Sequence, residues 1–180
     1  PSISPKNAGN TPVEQVRAIA NDIVCSFIEL QSNNNGTMAS TLNLTKKKII
    51  PYIDLEYSTE MALGSYWGQL DSRQKKIFER DMKSSLINEY VGILSDLAIW
   101  KDITISVNED FSQNGNLARV KVSVSLEEEN ASASVTLKLI LKNRWRIYDL
   151  EYQSISIIDI ERVGYDSKIK RQGVEKLIQK

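Results

Sequence analysis

Val120-Lys121-Val122-Ser123-Val124-Ser125-Leu126 places an apolar side chain at every second position with a polar one between. Val135-Thr136-Leu137-Lys138-Leu139-Ile140-Leu141 repeats the pattern, Ile103, Ile105 and Val107 precede it, and Trp145 and Ile147 follow. A period of two is that of a half-buried strand, because successive side chains of a strand point to opposite faces. Short turns at Gln113-Asn114-Gly115, Glu127 to Asn130 and Asn143 separate the four runs, which predicts an antiparallel meander with one apolar face.

Upstream of this block the period is helical. Thr11-Pro12-Val13-Glu14 offers a hydroxyl at N-cap, a proline at the first helical position and a carboxylate at N3, the pattern of a capping box. Val13, Val16, Ile19, Ala20, Ile23, Phe27 and Leu30 recur at helical spacing behind it, predicting a helix that ends near Gln31. A shorter helical region runs through Lys46, Lys47 and Lys48 to Ile49-Ile50-Pro51. Asp54 is placed to cap a helix carrying Met61, Leu63, Tyr66 and Trp67, with Gly64 in its middle, where a glycine suggests close packing. Asp71-Ser72-Arg73-Gln74 is a second capping box, and Ile77, Phe78, Met82, Leu86, Tyr90, Ile93, Leu94 and Leu97 form one apolar stripe behind it. Downstream of the strands, Ile157 to Ile169 reads as helix, with Gly173 at the C′ position before a last turn or two. The fold class is therefore α+β: a four-stranded antiparallel sheet with N-terminal helices and a C-terminal helix on one face. Residues 1–10 read as a flexible tail and 11–180 as one domain.

Composition narrows the chemistry. The 180 residues include 23 basic and 23 acidic side chains, so the broad positive field of a nucleic-acid binder is missing and no nucleic-acid partner is expected. With 0 histidines, Ser-His-Asp and Cys-His nucleophile arrangements and nearly every catalytic zinc site are excluded. The 1 cysteine, Cys25, forms no disulfide within the chain and belongs to no CxxC motif; its apolar surroundings predict burial. No apolar run reaches the roughly 18 residues of a membrane span. Strand alternation puts Asp149 on the side of Trp145 and Ile147, where a carboxylate in an apolar interior could serve as a base; the competing expectation is a rim position, paired with Arg144, Arg146 or a helix N-terminus. Tyr66, Trp67, Tyr90, Trp100 and Trp145 either line a cavity or fill a core.

The ordered motifs say more than composition. Ile50-Pro51-Tyr52-Ile53-Asp54, Leu63-Gly64-Ser65-Tyr66-Trp67, Gln74 with Phe78 and Tyr90, Trp145-Arg146-Ile147-Tyr148-Asp149 and Ser154-Ile155-Ser156-Ile157-Ile158 together resemble the MlaC, or toluene-tolerance, family. Arg162, Gly173 and Leu177 fall where that family's ending has them, while Ser154 stands in place of its usual glycine and Glu161 in place of an aromatic residue. The resemblance implies a nuclear-transport-factor-like fold around a lipid pocket and no enzymatic activity, cofactor or metal. It also implies a periplasmic phospholipid carrier of an ABC transport pathway that maintains outer-membrane asymmetry. Its partners would be phospholipid, an inner-membrane MCE-domain transporter complex and an outer-membrane lipoprotein complex.

Two acyl chains of about 28 methylenes would shelter on the order of 20 kcal/mol of hydrophobic free energy from water. A cavity of about 1,000 Å³ would be required. On periodicity, Val122, Val124, Val135, Leu137, Leu139 and Ile147 are expected on its sheet side and Leu63, Trp67, Phe78, Leu86 and Tyr90 on its helical side. The alternatives are an enzyme on the same scaffold with Asp149 as base on an apolar substrate, and a carrier of a hopanoid-type lipid.

Overall fold

The computed structural model describes residues 11–33, 37–94, 103–126 and 131–179, with the side chains of 89–94 outside that description. The expected tail at 1–10, the turn from Glu127 to Asn130, and Leu97 and Trp100 lie outside the described residues. Helix α1 spans Pro12–Ser32, α2 Met38–Lys48, α3 Leu55–Leu63, α4 Ser72–Leu94 and α5 Ile157–Leu177. The strands are β1 Ile103–Asn114, β2 Leu117–Leu126, β3 Ala131–Leu141, β4 Trp145–Tyr152 and β5 Ile155–Ser156, in the spatial order β1-β2-β3-β4-β5.

Each helix begins where a side chain can take up its orphan amides. Thr11 accepts from the Glu14 amide while Glu14 reaches back to the Thr11 amide, and Asp71 and Gln74 exchange the same pair of bonds at 2.8 and 2.9 Å. Asp54 accepts from the Tyr57 amide at 3.0 Å, Thr37 caps α2, and Ser156 caps α5. The helix expected to carry Gly64 in its middle instead stops there. Gly64 adopts φ 55° and ψ −124°, a conformation open to glycine, and a 3₁₀ segment runs on through Gln69. A Cβ at Gly64 would meet nothing within 4 Å, so backbone geometry rather than close packing explains the residue.

The meander forms as the alternation predicts, with one additional strand. After β4 the chain turns through Gln153 (φ 49°) and Ser154 (φ 65°), and β5 pairs Ser156 with Glu151 and Ile155 with Tyr152. Two residues are too few to display a period, which is why the sequence reads as four strands. Farther along β4, Ile53 forms a parallel bridge to Ile147, and the Asp54 amide donates to the Ile147 carbonyl at 2.7 Å.

Among the described residues two apolar clusters result. Val13 and Val16 of α1 pack with Ala118, Val120, Val122, Leu139 and Trp145 on the sheet. Leu63, Trp67, Phe78, Met82 and Leu86 pack with Ile158, Tyr165 and Ile169 of α5, and the Phe78 and Tyr165 rings meet edge-to-face at 5.6 Å. Cys25 is exposed rather than buried; of the α1 stripe, Val13, Val16, Ile19 and Phe27 are buried and Cys25 lies off that face.

Candidate functional site

The gap between the clusters is an apolar cavity of about 230 Å³. Leu137, Ile147, Tyr148 and Leu150 form its sheet wall, and Ile157 and Ile158 close it from the start of α5. Thr45, Ile49 and Ile50 line it from α2 and the following turn, Ile53 and Ser58 from around the start of α3, and Leu86 from α4. A larger groove of about 970 Å³ runs along Asp71, Arg73, Lys76 and Glu175, but it is an open surface of interleaved charges. Of these two spaces the smaller offers an apolar slot of the kind ligand sites use.

Leu86, Leu137 and Ile147 are thus the expected wall residues that face the cavity. Leu63, Trp67 and Phe78 belong to the helical cluster, while Val122 and Leu139, with partly buried Val124 and Val135, belong to the cluster beneath α1. The side chain of Tyr90 lies outside the described residues. Ile49, Ile50, Ile157 and Ile158 were not expected on the wall; the apolar pairs at a helix end and a helix start were the available signal. The expected 1,000 Å³ is not met, because most of the apolar residues assigned to the walls pack against α1 or α5.

Asp149 borders the cavity but does not act as a free carboxylate. The register passes from Leu139↔Ile147 to Lys138↔Asp149, so Tyr148 is the extra residue of a bulge. The bulge moves Asp149 off the side of Trp145 and Ile147, contrary to simple alternation, and onto that of Lys138. There it is 4% exposed and accepts from Lys138 Nζ at 2.7 Å, Ser156 Oγ at 2.7 Å and the Ile158 amide at 3.2 Å. Burial pulls the Lys138 ammonium down, but its bonds to Asp149 and Glu151 outweigh this and hold its pKa above the ordinary value. Asp149 thereby ties the start of α5 to β3 and β4. Burial also raises the pKa of Tyr148, keeping its phenol neutral. Among the described residues no three His, Cys, Asp or Glu side chains converge as a metal would require.

Beyond Ile50 and Ile53 lies a second, polar cleft of about 310 Å³, bordered by Asp54, Glu56, Lys142, Asn143 and Arg146. Asp54 is buried and lies 3.0 Å from Lys142 Nζ, which also approaches Glu56 at 3.6 Å. Burial lowers the Lys142 pKa, and these two carboxylates more than reverse the shift. Arg146 Nη2 donates to the Ile53 carbonyl at 2.7 Å. On the outer side of α2, Asp22 accepts from Lys48 Nζ at 3.0 Å and from the Tyr52 hydroxyl at 2.8 Å. Burial, together with this bond, pushes the Tyr52 phenol up to about 12. The lysine run at Lys46 to Lys48 is the last turn of α2, where cations face the negative end of the helix.

Comparison with known proteins fits this architecture. The chain is 22% identical over 162 residues to the intermembrane phospholipid transport system binding protein MlaC of Haemophilus influenzae, covering 86% of this chain and 74% of that protein. A phospholipid-binding protein of Ralstonia solanacearum, solved in complex with a phospholipid, superposes with a TM-score of 0.77 at 21% identity, covering 91% of this chain and 90% of its own. The model of the MlaC protein family matches residues 19–180, nearly the whole chain, and the chain therefore belongs to the MlaC family.

Proposed function

We propose that this chain is a periplasmic, non-enzymatic phospholipid carrier that takes acyl chains into the cavity between β3, β4 and the helices. It would pass lipid between an inner-membrane MCE-domain transporter complex and an outer-membrane lipoprotein complex. The observation that carries the reading is an apolar cavity walled by Leu86, Leu137, Ile147, Leu150 and Ile157 in a fold shared with a protein solved with phospholipid bound. Moving a lipid from bilayer to apolar cavity exchanges one hydrocarbon environment for another, so the net transfer free energy stays small, as a reversible carrier requires. The enzyme alternative is disfavoured because Asp149 already accepts three hydrogen bonds.

Cargo size sets a further condition. A cavity of about 150 Å³ holds a six-carbon ring, so 230 Å³ takes about nine carbons, well short of one membrane acyl chain. Loading therefore requires a wall to withdraw. The sheet and α5 are joined through Asp149, and α3 is joined to β4 by Ser58 Oγ donating to the Tyr148 carbonyl at 2.7 Å. The fully buried residues of α2 are the polar Thr41 and Thr45, the buried Thr41 hydroxyl has no partner among the described residues, and α2 is joined to α1 through Lys48 and Asp22; on this reading α2 is the wall that withdraws.

Transfer of fluorescent phospholipid between donor and acceptor vesicles tests the reading. The wild type should accelerate transfer in proportion to its concentration. Leu137→Glu should abolish this while leaving the far-UV circular dichroism near wild type. A folded Leu137→Glu protein that still transfers lipid would remove the cavity from the account.

A further inference from the structure

Resting on the carrier reading, we infer that the cleft lined by Lys142, Asn143 and Arg146 is a subsite for a phosphate anion, occupied by the phosphodiester of a lipid whose chain enters the apolar cavity. Three observations converge on it. The cleft and the cavity share Ile50 and Ile53 as their common boundary, so a single molecule straddling these side chains would place hydrocarbon on one side and a polar group on the other.

Arg146 also has unused donors. A guanidinium carries five N–H donors, yet among the described residues one hydrogen bond is formed, from Nη2 to the Ile53 carbonyl. Its Nε is buried without a partner among the described residues, and the nearest carboxylate oxygen, Asp54 Oδ2, lies 3.7 Å away, beyond hydrogen-bond reach. A buried donor without an acceptor is costly, and an arriving phosphate oxygen is the acceptor that guanidinium geometry suits best.

The charges also balance. Lys142 and Arg146 face Asp54, which is buried and committed to capping α3, and Glu56, whose side chain is 60% exposed and lies 3.6 Å from Lys142. The phosphate would take the place of Glu56 on Lys142: once that exposed, loosely held carboxylate is displaced into solvent, the two cations face Asp54 alone and have capacity for one monoanion. A phosphodiester carries one negative charge. The headgroup beyond the phosphate would remain in water, so the site recognises the phosphate and not the alcohol attached to it.

The test loads the full chain, stripped of lipid, from detergent mixed micelles carrying either phosphatidylglycerol or diacylglycerol with the same chains, then extracts and counts bound lipid. Lys142→Gln, at a side chain 42% exposed, and Arg146→Lys are compared with wild type after thermal melting verifies folding. The inference predicts that each variant retains about tenfold less phosphatidylglycerol than wild type, with diacylglycerol unchanged, since a hydrogen bond to a charged group is lost. Unchanged phosphatidylglycerol would overturn it, as would a parallel fall in both lipids, which would place the residues' effect on the cavity. Should Arg146→Lys fail to fold, Lys142→Gln alone decides. Titration of wild type with inorganic phosphate separates the two sources of the anion: saturable binding that persists in lipid-loaded protein would give the cleft to free phosphate and overturn the lipid assignment. Wild type that loads neither lipid would instead refute the carrier reading itself.

Discussion

Replacing Asp149 with asparagine removes the charge that joins β3, β4 and α5. The carboxylate accepts three hydrogen bonds at 4% exposure, and its cationic partner Lys138 has a side chain only 15% exposed. Deleting one member of a fully buried pair costs about 3–5 kcal/mol, because the remaining charge is left uncompensated. Here Lys138 keeps Glu151 at 3.3 Å, and the asparagine carbonyl can still accept from Ser156 or from the Ile158 amide. The expected loss is therefore smaller, about 2–3 kcal/mol. Urea unfolding followed by circular dichroism should show the midpoint falling by about 1 M at an unchanged slope, for a slope of about 2–3 kcal/mol/M. Lys138→Met should be coupled to it, with the double variant more stable than the sum of the single losses by about 1 kcal/mol or more. A loss under 0.5 kcal/mol would refute the anchoring role. So would intact stability combined with lost lipid loading, which would make Asp149 part of the site rather than of the fold.

Other outcomes follow from the same geometry. Ser154→Gly should stabilise the protein by about 1 kcal/mol in the same unfolding assay, since Ser154 holds φ 65° where glycine carries no Cβ penalty; a destabilised variant would contradict this account of the turn. Asp22→Asn removes the charge that both Lys48 and Tyr52 bond, and should raise amide exchange in α2 and speed lipid transfer about fivefold; unchanged exchange there would exclude α2 as the wall that withdraws. The pKa of Glu151 is held below its usual range because the Arg119 and Lys138 bonds outweigh the opposing effect of burial, so its contribution is present above about pH 4.5 and is lost as pH falls through the lower folded value. The Lys138 pKa is raised, so its contribution is complete below about pH 10.5 and is lost as pH rises through the higher folded value. Midpoint against pH should show Glu151→Gln flattening the acid limb alone, and an unchanged acid limb would dismiss this network as its source.

Features that are local in the chain were legible from sequence. The Thr11–Glu14 and Asp71–Gln74 boxes start α1 and α4 where their side chains indicate, and the alternation at Val120 to Leu126 yields β2. Features that depend on pairing were not. Nothing at Tyr148 marks it as a bulge, because the extra residue is defined by Lys138 and Leu139 on the neighbouring strand. Gly64 in the sequence suggests close packing within a helix, and only its positive φ shows that the helix stops there. Sequence periodicity also identifies which residues turn inward without showing what each one meets. Val122 and Leu137 share a sheet face and one apolar cluster, yet Val122 is buried within it while Leu137, only partly buried against it, also borders the cavity. The Asp22 latch joins residues 30 positions apart and carries no sequence signature.

The central claim is that the cavity between sheet and helices holds phospholipid. Native mass spectrometry of the freshly purified full chain, followed by organic extraction of whatever is bound, tests it most directly. The account predicts a discrete added mass that resolves into phospholipid, at one molecule per chain. A bare protein mass that persists after incubation with phospholipid vesicles would contradict it.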